Sequence, residues 1–147
     1  MPSPYFNNYG IVTVTASTVS ITDDGYVGQR IVMNRAAGIT ATLPAATGSG
    51  NRYEFIGLAD ASGSQIVKVA NATDVMMGWA ALGNDAAGSS NFYTADTSET
   101  ITLNGTTTGG YKGWRIVVDD VAAGFWAVTV ESEASGTEAT PFSASVS

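Results

Sequence analysis

Nowhere does this chain carry a 3.6-residue apolar period for ten residues or more. It carries short runs rich in Val, Ile and Thr, broken by Gly, Asn, Asp and Ser turns every 8–12 residues. That punctuation excludes a helix bundle and predicts an all-β domain, because β-branched residues suit a pleated surface and turn residues end it. The segment beginning at Ile11, IVTVTASTVSI, reads as one strand or a bent pair. Further strands are expected at 30–34, 39–43 (closed by Pro44), 52–58, 65–70, 91–94, 100–103, 114–119 and 125–130. Residues 75–81 read as a strand or as a buried turn around Gly78-Trp79, 84–90 as a loop, and 142–146 as a last edge strand. The expected architecture is one antiparallel β-sandwich or barrel, jelly-roll-like, of about 9–11 short strands over 11–147. An extended N-terminal arm over 1–10 precedes it.

Faces follow from alternation. Trp114, Ile116 and Val118 share one side of a strand; Trp126, Val128 and Val130 share one side of the next, opposite Thr129 and Glu131. These are core candidates. The arm, MPSPYFNNYG, holds Tyr5, Phe6 and Tyr9 close together. Pro2 and Pro4 bias it to extended backbone. Three aromatics in a terminal segment point to a partner that buries them.

The chain has no Cys and no His. Thiol nucleophiles, Cys-ligated zinc, most general bases and the usual catalytic triads are thereby removed. The reading is a protein that is not an enzyme and holds no cofactor or metal. Net charge is −7, with only six Lys and Arg, and they are scattered. No basic stripe offers itself to nucleic acid or to an anionic membrane. No apolar stretch is long enough to span a bilayer, and the first residues lack the pattern of a secretory signal.

The glycine-rich stretch TLPAATGSGNRYEF invites comparison with phosphate-binding loops. A dinucleotide fingerprint needs G-x-G-x-x-G and a following helix; here Gly48-Ser49-Gly50 is followed by Asn51, Arg52 and Tyr53 and then by strand composition. No Gly-Lys-Ser/Thr occurs either. The stretch reads as a turn. Asp23-Asp24 and Asp119-Asp120 read as solvated turn carboxylates rather than a calcium site. Asn71-Ala72-Thr73 and Asn104-Gly105-Thr106 match the glycosylation sequon, to which no role is given. Trp79 and Tyr111 sit in glycine-rich surroundings and are the open candidates for stacking on a sugar. Val75 to Ala81 is the longest uncharged apolar stretch, and Met76, Met77 and Trp79 are candidates for core or interface.

Four segments in order, ITATLPAATGSGNRYEFIG, QIVKVANATDVMMG, ETITLNGTTTGGYKGWRIVVDDVAAGFWAV and GTEATPFSA, resemble the small decoration (cement) proteins that stud the heads of tailed bacteriophages. The resemblance covers about residues 28–147. It implies a structural virion protein on the outer surface of the capsid, a homotrimer that clamps the major capsid protein lattice. On that reading Tyr5, Phe6, Tyr9, Met76, Met77 and Trp79 contact the capsid or a neighbouring subunit. Similar LPAATG and AGxW segments also suit phage fibre and spike modules, which gives the alternative of a receptor- or glycan-binding module.

Overall fold

The computed structural model describes residues 10–145. Among these residues the strands are β1 (Ile11–Val14), β2 (Thr18–Ser20), β3 (Arg30–Met33), β4 (Thr40–Thr42), β5 (Arg52–Gly57), β6 (Gln65–Lys68), β7 (Val75–Asn84), β8 (Gly88–Tyr93), β9 (Thr100–Leu103), β10 (Arg115–Ala122), β11 (Phe125–Glu133) and β12 (Phe142–Ser143). One helical turn, α1 (Asp23–Tyr26), stands between β2 and β3. The strands form a seven-stranded sheet, β1-β3-β5-β10-β11-β7-β8, and a five-stranded sheet, β12-β9-β6-β4-β2. The fold is an all-β, sandwich-like domain.

The strand directions correct the antiparallel, jelly-roll-like expectation. β1·β3, β3·β5, β2·β4, β4·β6 and β7·β11 pair in parallel. β5·β10, β10·β11, β6·β9, β7·β8 and β9·β12 pair antiparallel. The first six strands alternate between the sheets, so the chain winds around the core. Each winding re-enters a sheet one strand spacing over and in the same direction. Frequent short turns suggest hairpins, but a turn that crosses from one sheet to the other satisfies the same spacing. The coils start at residues 11, 30 and 52, at unequal intervals, which hides the repeat from the sequence.

One contiguous core joins the sheets. Ile31, Met33, Tyr53, Phe55, Ile116, Val118, Trp126 and Val130 come from the larger sheet, and Ala41, Val67, Ile101, Leu103 and Phe142 from the smaller. The faces expected for β10 and β11 are those observed. β7 is a strand, not a buried turn. Its Gly78 lies so close to β11 that a Cβ would sit 1.8 Å from the Val128 carbonyl oxygen; only glycine lets the two strands meet there. The loop expected over 84–90 shrinks to a tight connection between β7 and β8. Tyr5, Phe6 and Tyr9 lie outside the described residues.

Candidate interaction face

The domain has two sites of note, one closed and one open. The closed one answers the glycine-loop question. The link from β4 to β5 carries Thr47, Gly48 and Ser49, and their three backbone amides turn inward on one side. Gly48 and Gly50 take φ of 78° and 77°, the left-handed region that glycine occupies without strain. Successive amides so arranged make an anion-binding concavity. The anion is the protein's own Asp120. Its carboxylate accepts from the amides of Thr47 (3.1 Å), Gly48 (2.7 Å) and Ser49 (3.1 Å) and from the hydroxyls of Thr47 (3.2 Å) and Ser49 (2.7 Å). Burial opposes its ionisation, but the Ser49 hydroxyl and the three amides outweigh burial and hold the carboxyl down to about 2.

Asp120 is therefore a tether and not a solvated turn carboxylate. Its backbone joins in: Gly50 N–H donates to the Asp120 carbonyl, and Asp120 N–H donates to Asn51 O, both at 2.9 Å. The crossover between the two sheets is thus pinned to the end of β10. Beside it, the Ala46 amide donates to Asp74 at 2.9 Å. Tyr53, which belongs to the core, donates its hydroxyl to Asp23; burial first, and then the Asp23 carboxylate, push its phenol above the ordinary range. Among the described residues no group of three or more Asp or Glu side chains is placed to hold a metal ion. No described helix is long and apolar enough to cross a membrane.

The open site is the outer face of the seven-stranded sheet. Pairing lines up Ile11, Arg30, Glu54, Val117, Thr129, Trp79 and Tyr93 in one row across all seven strands. The face divides into two halves. On β3, β5 and β10 it is charged. Glu54 lies 3.1 Å from Arg115 and 3.8 Å from Arg30, and Arg52 donates to Asp119 through Nε at 2.7 Å and Nη2 at 3.0 Å. Arg30 and Arg52 also border a shallow depression of about 420 Å³ with Gln29, Asn51 and Glu54.

At the Phe125 end of β11 and on the adjoining stretches of β7 and β8 the face is aromatic and uncharged; towards the other end β11 turns Glu131 and Glu133 outward. Outward positions at the aromatic end are Phe125, Ala127 and Thr129 on β11, Met77 and Trp79 on β7, and Tyr93 on β8; the next row, Asn91, Ala81 and Glu131, begins the charged end. Phe125 is 42% exposed, Met77 45%, Trp79 42% and Tyr93 76%. Trp79 and Tyr93 are direct cross-strand partners, and Met77 lies opposite Ala127. Scattered exposed apolar residues are ordinary, but four large ones on three adjacent strands form a patch of the kind that marks a contact surface.

The apolar stretch of β7 is therefore both core and surface, divided residue by residue. Met76, fully buried, faces inward and leaves the contact set; Met77 and Trp79 face outward. Trp114 and Trp126 are core, and the Tyr111 hydroxyl bonds Ser135 Oγ at 3.1 Å. Tyr93 and Phe125 were not singled out from the sequence. The signal for Phe125 was present, since alternation along β11 sets it opposite Trp126. Tyr93 needed the register of β8, whose first residues read as loop.

Comparison with known protein families, with curated proteins and with solved structures finds no match. The likeness to phage decoration proteins rests on the four segments themselves.

Proposed function

We propose that this protein is a non-catalytic component of a tailed-phage particle, a decoration protein that binds the outer surface of the head and stabilises the major capsid protein lattice, as a homotrimer. The observation that carries this reading is the aromatic, nearly uncharged face of Met77, Trp79, Tyr93 and Phe125 on a domain whose core is otherwise closed. A chain of net charge −7 gains solubility from charge, yet Met77, Trp79, Tyr93 and Phe125 stand exposed together with no charged side chain among them. Such a surface gains free energy by being covered. Many modest contacts on one repeating lattice then add through avidity. The ordered resemblance of 28–147 to decoration proteins supplies the setting.

The test is copy number per particle, from a quantitative gel of purified virions. A number comparable with the major capsid protein is expected. A handful of copies would move the protein to the tail or a fibre. That result would favour a second reading, a glycan-binding fibre or spike module, for which the exposed cross-strand pair Trp79–Tyr93 is the specific support. Aromatic faces of this kind stack on the apolar faces of sugars. Absence from the particle would overturn both.

A further inference from the structure

We infer that the aromatic face of one copy is covered by the N-terminal arm of the next copy, with Tyr5, Phe6 and Tyr9 lying over Met77, Trp79 and Tyr93. The inference rests on the reading of this face as an assembly surface. It does not depend on which particle the assembly sits on.

Three features carry it. The first is chemistry: residues 2–10, PSPYFNNYG, carry no charged side chain and three aromatics, and the cluster of Met77, Trp79, Tyr93 and Phe125 matches them in both respects, with Glu131 and Glu133 confined to the far end of β11. A neutral segment meets no repulsion from the acidic chain around it. The second is reach. The arm enters at β1, and Ile11 stands in the same row as Trp79 and Tyr93 but at the opposite edge of the sheet. β7 lies five strand spacings from β1 and β8 lies six, about 24 and 29 Å at ~4.8 Å each. A fully extended backbone carries Tyr5 at most about 17 Å from Gly10, Phe6 about 14 Å and Tyr9 about 4 Å. Phe6 and Tyr9 fall short of their own Met77, Trp79 and Tyr93, and Tyr5 comes within a ring's length of β7 only at full extension, so the three together cannot cover their own face. If they cover this face, they come from a neighbour.

The third is geometry of assembly. Arm root and face lie at opposite edges of one sheet, so a donor edge meets an acceptor edge. That is a head-to-tail contact, which closes into a ring when the rotation allows. A homotrimer is the ring expected here. β8 suits the role as well, since its sequence GSSNFY has no Lys, Pro or charge to guard its open edge.

The chain's lack of cysteine makes the test clean. Asn7→Cys is combined with Asn91→Cys; Asn91 is an exposed, outward position on β8, two residues from Tyr93, so every aromatic is retained. Full-length protein is oxidised in dilute solution and run on a non-reducing gel. A covalent trimer is expected from this pair. It should be absent from the control pair Asn7→Cys with Lys68→Cys, which places the second thiol on the outer face of the other sheet. A second pair, Asn8→Cys with Asn91→Cys, guards against an unlucky local geometry. Light scattering in parallel gives the oligomeric state without cross-linking.

A trimer by scattering with no covalent ladder from either pair would overturn the arm exchange and leave the homotrimer standing. Monomers by both measures would overturn it too, and the decoration reading would then depend on copy number alone. Linkage within a single chain, seen as a monomer with both thiols consumed, would show that the arm folds back on its own domain and would also overturn it.

Discussion

Asp120→Asn is expected to lower the stability of the domain by about 2–4 kcal/mol, because it leaves inward-facing amides without the charge they bind. The asparagine side chain is nearly isosteric. It offers one acceptor oxygen where two received five donors, and it turns an N–H group toward amides that are themselves donors. For a chain of this length the loss corresponds to a midpoint lower by on the order of 10 °C, readable by thermal unfolding on the tryptophan signal. The wild type carries a matching pH signature. The Asp120 carboxyl titrates at about 2 in the folded state, below its ordinary unfolded value of about 3.9. The unfolded chain therefore binds the proton first. The stabilisation, about 2 kcal/mol, is present in full above about pH 4 and is lost as pH falls through about 2. Asn has no such titration, so the difference between the two proteins should shrink over that window. A variant as stable as wild type at pH 7 would show that the cradle holds nothing together.

Trp79→Asp with Tyr93→Asp is expected to abolish attachment while leaving the fold intact. Both side chains point outward, so the core loses nothing. Aromatic anchors at the centre of an interface typically contribute about 2 kcal/mol or more each. Losing two should weaken the contact between copies by on the order of 1,000-fold, and attachment to undecorated particles is lost with the avidity of the assembly. Fluorescently labelled protein titrated onto particles lacking it gives the affinity, and circular dichroism confirms the fold. Binding at wild-type affinity would remove this face from the function altogether. Met76→Ala makes the contrast. Met76 is buried under the same strand, so its truncation should act on stability and spare the affinity per folded molecule.

Much of this was legible in the sequence, and what was not has physical reasons. Strand positions could be read because β-branched runs end at turn residues, as at 65–68 and 100–103. Strand directions could not. Pairing between residues far apart decides them, and a turn that crosses between sheets looks like one that reverses within a sheet. The TGSG turn was legible as a turn. Its partner was not, since 71 residues separate Ser49 from Asp120. The two sequons find a structural account: Asn71 Oδ1 accepts from the amide and hydroxyl of Thr73, and Asn104 Oδ1 from those of Thr106. In both, the threonine answers the asparagine within one turn. Along β7, composition showed an apolar stretch, and only the pleat showed that Met76 and Met77 serve opposite sides.

The place of β10 in the larger sheet bears on how the chain is made. β10 lies between β5 and β11, so within the larger sheet the wound strands and the strands built around β7 and β8 meet along this one strand. During synthesis the first three coils emerge with β5 lacking its second neighbour, and it gains that neighbour only when residues 115–119 have appeared. Closing so long a loop costs entropy before any contact repays it, and domains ruled by distant pairings fold over milliseconds to seconds. A stopped-flow tryptophan signal should place refolding in that range. Until then β5 is an open edge, and the nascent protein depends on the speed of its own completion to keep that edge from strangers.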